Sequence, residues 1–177
     1  MGGFTRLVSK QFGTPITHGH QYQKWDDMPG LTPKQIQYGW DCIRQSDQFW
    51  RALDPLVDDG VFWRLAELQH CADVYYVTNR QGVDPRDQTV TWLRYYGISY
   101  PTVLISGRKG EVAAALGAHY LLDDKAGNAV FAAYHSPATI CCLLNRPYNQ
   151  FDHEVLGAGV RRVKTVEEFL ELVEAAC

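Results

Sequence analysis

Three short polar clusters each follow an apolar run. Thr78, Asn79 and Arg80 come after Val74–Val77; Ser106, Gly107, Arg108 and Lys109 after Thr102–Ile105; Asp123, Asp124 and Lys125 after Tyr120–Leu122. A hydroxyl, an ammonium group and two adjacent carboxylates brought to one rim suit a phosphate ester held with Mg²⁺. Thr78 can donate to a phosphoryl oxygen, Lys109 can neutralise charge that develops there, and the aspartates suit a hard cation. The aspartate pair is the most telling, because neighbouring carboxylates repel unless a cation or good hydrogen bonds compensate. The plain alternatives are that the threonine only caps a helix and the lysine is only solvated.

The elements needed to position these groups are legible around them. Val74-Tyr-Tyr-Val77, Thr102-Val-Leu-Ile105, Tyr120-Leu-Leu122 and Ala138–Leu144 read as buried strands. Between them, helices are expected from Asp84-Pro85 to near Gly97, over Lys109–Leu116 and near Ala126–Ala133. Thr165 opens a closing helix as N-cap of a capping box with Glu168. Upstream, Asp59–Leu68 is amphipathic through Val61, Phe62, Leu65 and Leu68, and Phe4, Leu7, Val8, Gln11 and Phe12 recur at helical spacing before Gly13. From Thr14 to about Pro33 the chain is polar and rich in Gly, Pro and His; Pro33–Gln45 is expected as a short helix. Apolar strands alternating with helices call for a parallel sheet covered on both faces, with ligands at the carboxyl ends of its strands.

The chain has 177 residues, 46% hydrophobic and 21% charged, with a formal net charge of -3. That is the size and composition of one soluble domain. The balance of charge disfavours a nucleic acid polymer as partner and provides no polybasic membrane tether. The apolar stretches are far shorter than the roughly 20 residues of a spanning helix. Met1-Gly2-Gly3-Phe4-Thr5-Arg6 lacks the Ser or Thr of a myristoylation signal, and no secretory core follows, so a cytoplasmic location is expected. Five cysteines with no Cys-x-x-Cys predict reduced thiols packed as small apolar groups. His18-x-His20 is the closest histidine pair, and it lacks the partners at set spacing that a metal site needs.

Val77-Thr78-Asn79-Arg80, Gly107-Arg108-Lys109-Gly110 and Leu121-Leu122-Asp123-Asp124-Lys125 resemble, in this order, motifs II, III and IV of the haloacid dehalogenase-like phosphatases. The resemblance runs from Phe4 to Pro147. It is closest to the 5′(3′)-deoxyribonucleotidase branch, through Phe49-Trp50-Arg51-Ala52-Leu53-Asp54-Pro55 and Cys141-Cys142-Leu143-Leu144-Asn145-Arg146-Pro147. It implies an α/β fold, a three-layer Rossmannoid parallel sheet in a single domain over residues 1–177, with a small helical cap insert at about 17–50 and the core at 1–16 and 51–177. It also implies a Mg²⁺-dependent phosphomonoesterase acting on a small phosphate ester such as a deoxynucleoside monophosphate. Thr78 and Lys109 would be catalytic, Asn79 and Arg80 would bind substrate, Asp123 and Asp124 would hold Mg²⁺, and Phe49 and Trp50 would stack on a base or wall the pocket.

The family's first motif, a central strand ending in Asp-x-Asp, has no counterpart in this sequence. Its aspartates are the nucleophile and the general acid/base. Asp26-Asp27 and Asp58-Asp59 are poor substitutes, since neither follows an apolar strand. Loss of a central strand would remove stabilisation comparable with that of a whole domain. The expectation is therefore a truncated chain, or a start codon assigned late, that is inactive as it stands; a strand-exchanged homodimer is conceivable for it. The competing readings are a non-catalytic phosphate- or nucleotide-binding or assembly module, and a likeness of scaffold alone.

Overall fold

The computed structural model describes residues 2–13, 30–150 and 154–177. His18, His20 and the Asp26-Asp27 pair, with much of the expected insert, lie outside the described residues.

The chain opens with α1 (Gly2–Phe12) and α2 (Pro33–Gln45), the latter begun by a reciprocal capping box between Thr32 and Gln35. Their apolar faces close on each other through Phe4, Val8 and Ile43, with Phe49 and Trp50 at the margin. The helices cross where α2 has a glycine: a Cβ on Gly39 would sit 2.1 Å from Phe4 Cε2. Phe4 is 1% exposed and has nowhere to retreat. Gly39→Ala should therefore cost about 1–3 kcal/mol through overpacking. Urea titration measures it, and a loss within error of zero would show that the helices do not meet this closely.

After α3 (Asp59–Leu68), capped by the Asp58 carboxylate, strands and helices alternate. They are β1 (Tyr75–Thr78), α4 (Pro85–Tyr95), β2 (Thr102–Ile105), α5 (Lys109–Leu116), β3 (Tyr120–Asp123), α6 (Ala126–His135) and β4 (Ile140–Leu144). A 3-10 turn (Pro147–Asn149), α7 (Glu154–Gly157), β5 (Arg161–Val163) and α8 (Val166–Glu174) complete the chain. Thr165 accepts from the Glu168 N–H as expected, but the Glu168 carboxylate reaches the Lys164 N–H rather than that of Thr165.

The strands form two parallel sheets, β1-β2 and β3-β4-β5. Alternation along β3 and β4 sends Leu121, Cys141 and Leu143 to the α5–α6–α7 side, and Leu122, Cys142 and Leu144 to the α8 side. On the first sheet, Tyr76 and Val103 face α3 and α4. One cluster spans both sheets: Val61 and Leu68 of α3 pack with Leu170 and Val173 of α8, against Val74 beside β1 and Tyr120 of β3. Arg64 and Glu174 add a two-pronged ion pair between α3 and α8, both bonds 2.8 Å.

The thiol expectation is corrected at two positions. Cys71, just after α3, is bonded to Cys177, with the Cα atoms 6.1 Å apart, inside the usual disulfide range. Cys42, Cys141 and Cys142 are free, and the last two are buried as expected.

Candidate functional site

Local pairing sets the first two polar clusters side by side. Thr78 lies opposite Ile105 in the ladder, and the Ser106 N–H donates to the Thr78 carbonyl at 2.8 Å. The Asn79 side chain lies against Gly107, where an added Cβ would come 3.2 Å from Oδ1. The third cluster joins through α5 and β3: Lys109 Nζ stands 3.1 Å from Asp123 Oδ2. Thr78, Asn79, Lys109, Asp123 and Asp124 thus share one rim at the carboxyl ends of the strands.

Asp123 is a buried carboxylate, 5% exposed, with both oxygens engaged. Oδ2 meets Lys109, and Oδ1 accepts the Lys125 N–H at 2.8 Å, turning the chain into α6. Asp124 is held from the opposite side by residues that the sequence did not single out. The Tyr148 hydroxyl donates to Asp124 Oδ2, and the buried Asn149 amide donates to the carbonyls of Asp124 (2.9 Å) and Leu144 (2.8 Å). Burial and then the bond to Asp124 push the Tyr148 hydroxyl up from its ordinary pKa, so it remains a donor. Arg162 ties the turn down through Asn145 Oδ1 and the Asn149 carbonyl. The Asn145-Arg146-Pro147 run was visible in the sequence; the two residues after it were the missed signal.

Arg80 turns away from the rim. Its guanidinium lies 5.2 Å from the ring of Trp50 and 5.5 Å from that of Trp92, and donates to Thr89 Oγ1 at 3.1 Å. Burial lowers its pKa to about 10, so it is still a cation at neutral pH. Trp50 is itself fixed: its indole N–H donates to the Gln81 carbonyl at 2.8 Å and its backbone N–H to Gln88 Oε1 at 2.9 Å. Gly82 allows this docking, because its φ of +108° suits glycine and a Cβ would meet the Ile43 carbonyl at 2.8 Å. Phe49 packs edge-on against Trp50 within the α1–α2 cluster. Trp50 and Phe49 therefore seat the helical pair on the β1–α4 loop.

Tyr76, in β1, has a buried hydroxyl with no hydrogen-bond partner, and burial pushes its pKa up to about 12. The unfolded chain ionises this group near pH 10, so the folded state loses stability as pH rises from about 10 to about 12 and is unaffected by it below that window. Tyr76→Phe should flatten this part of the alkaline profile and leave stability at pH 7 equal or higher, since it deletes an unsatisfied polar group. Thermal melts across the window measure it; an unchanged alkaline slope would refute it.

Among the described residues, no three His, Cys, Asp or Glu side chains gather as a metal site. Two carboxylates still suffice for a Mg²⁺ that fills its other positions with water and phosphate oxygens. Both Asp123 oxygens are taken up by Lys109 and the Lys125 N–H, and Asp124 Oδ2 by the Tyr148 hydroxyl.

The fold and rim define a mixed α/β protein with two small parallel sheets in a Rossmannoid-type arrangement. No family model, no curated protein and no solved structure matches the chain. Among the described residues no helix is long and apolar enough to cross a membrane.

Proposed function

We propose that this rim belongs to a Mg²⁺-dependent phosphomonoesterase of the haloacid dehalogenase-like type, acting on a small phosphate ester such as a deoxynucleoside monophosphate. The observation that carries the reading is the contact of Lys109 with Asp123 beside the paired ends of β1 and β2, which gathers hydroxyl, ammonium and carboxylates at one place. Thr78 and Asn79, whose side chains bond to no other described residue, would donate to phosphoryl oxygens. Lys109 would balance phosphoryl charge, and Asp123 and Asp124 would hold Mg²⁺, with Tyr148 fixing the orientation of Asp124. The metal, when bound, would supply charge neutralisation at the phosphoryl group. The sequence contains no Asp-x-Asp to provide a nucleophile and general acid/base, so this chain is expected to bind without turnover.

That absence also favours the second reading, a non-catalytic phosphate- or nucleotide-binding module. Calorimetric titration with inorganic phosphate tests what the two share: binding should require Mg²⁺ and weaken about tenfold or more in Asp124→Asn, as loss of a charged partner predicts. Binding indifferent to both would leave only a shared scaffold. Hydrolysis of p-nitrophenyl phosphate after an Asp-x-Asp strand is joined upstream of Met1 would select the enzyme; binding without hydrolysis would select the module.

A further inference from the structure

We infer that the Cys71–Cys177 disulfide is a thiol-exchange site, at which a small aminothiol carrying a positive charge enters as a mixed disulfide on Cys177. The inference is independent of the phosphate chemistry. Both cysteines are exposed, in contrast to the buried Cys141 and Cys142, so an external thiol reaches their sulfurs. Exposed disulfides are the ones prone to exchange, because attack requires access to a sulfur. A cleft of about 480 Å³ opens beside the bond, a volume in the range of small-molecule sites. Cys71 and Cys177 both line it, with Ala72, Ile140 and Val173 as an apolar wall and His119 as a polar group. The body of a small thiol thus has a place to lie while its sulfur is bonded to the protein.

The surrounding charge selects the kind of thiol. Cys71 lies three residues past the end of α3, and Cys177 three residues past the end of α8. Unsatisfied carbonyls give such helix ends a partial negative charge. Neither helix has a basic residue in its last turn, while Glu67 lies in the last turn of α3 and Glu171 and Glu174 in that of α8. The arginine of α3, Arg64, is already paired with Glu174. An ammonium group is therefore drawn to this end of the molecule, and a sulfonate is repelled.

In the exchange the aminothiol, as its thiolate, attacks Cys177 Sγ. The new S–S bond forms there as the bond to Cys71 breaks, and Cys71 Sγ leaves with the electron pair and takes up the proton that the thiol had released. One thiol and one disulfide give one thiol and one disulfide, so no further oxidant or reductant is needed. Cys71 is the sulfur that leaves because the Leu68 carbonyl, 3.5 Å from its Sγ, is placed to accept the new S–H. The step cuts the covalent tie between α3, packed on Tyr76 and Val103 of the first sheet, and α8, packed on Leu144 and Val163 of the second.

The test incubates the full, oxidised chain without denaturant with cysteamine or with 2-mercaptoethanesulfonate, at equal concentrations. Aliquots are quenched with N-ethylmaleimide, which caps any freed thiol, and peptide mass spectrometry locates the adduct and the cap. Rates are divided by the thiolate fraction of each reagent. The expected result is an adduct on Cys177 with the cap on Cys71, formed about fivefold or more faster by cysteamine, the difference closing at high salt. Cys71→Ser, in which no neighbouring thiol can expel the adduct, should accumulate it on Cys177 when treated with cystamine. An adduct on Cys71, equal rates for the two reagents, or a bond that exchanges only in denaturant overturns the proposal.

Discussion

Lys109→Met should lower the unfolding free energy by about 3 kcal/mol, because it leaves the Asp123 carboxylate buried without its cation. The side chain of Asp123 is 1% exposed and that of Lys109 25% exposed, which places the pair well inside the protein while leaving the lysine in touch with solvent. Residual hydration of the lysine sets the expectation at the lower end of the range for broken buried pairs. Lys109→Met combined with Asp123→Asn should recover part of the loss, since the orphaned charge is then gone. Chemical denaturation of the four proteins in the cycle gives the coupling directly. Phosphate affinity should fall in both lysine variants. A stability loss with no change in phosphate binding would make Lys109 a structural ion-pair partner and sink its role at the rim.

The second large effect is at the disulfide. Cys71 and Cys177 are 106 residues apart, so reduction releases a long loop in the unfolded chain. Chain-entropy arguments put this at about 4–5 kcal/mol. For a chain of this length, that is a fall in Tm on the order of 10 °C. Calorimetry with and without dithiothreitol, alongside Cys71→Ser, measures it. The variant should match the reduced protein and be insensitive to reductant. A Tm unmoved by either change would mean that the bond does not constrain the unfolded chain.

Much of the element order was legible because the signals are local. Lys109–Leu116, Asp59–Leu68 and Thr102–Ile105 fall where spacing and apolar runs put them. The strand expected over Ala138–Leu144 begins only at Ile140, because Thr139 is engaged with Ser136 and the Ala118 carbonyl. β5 was not legible: in Arg161-Arg162-Val163 only Val163 is buried, too little for a period to register. The division of the strands into two sheets was also hidden, because pairing between strands is non-local. At the site, Thr78, Lys109 and Asp123 were visible as polar residues after apolar runs. Tyr148 was not, since its meaning lies in reaching Asp124 across 24 residues. Arg80 and Trp50 were visible as candidates, but their mutual stacking depends on where α1 and α2 dock. The disulfide was invisible because an odd cysteine count with wide spacing carries no pairing rule.

The Cys71–Cys177 bond also divides the molecule covalently. Both sheets and the polar rim lie within the segment it closes, while α1, α2 and α3 lie outside it. A protease that nicks one bond inside the ring leaves its two pieces joined until a reductant is added. A cut between α2 and α3 instead frees the helical pair from the covalent ring and leaves it held by noncovalent contacts, among them those of Trp50 with Gln81 and Gln88 and the close approach at Gly82. Gels run with and without reductant would therefore distinguish loss of the helical pair from damage to the sheets.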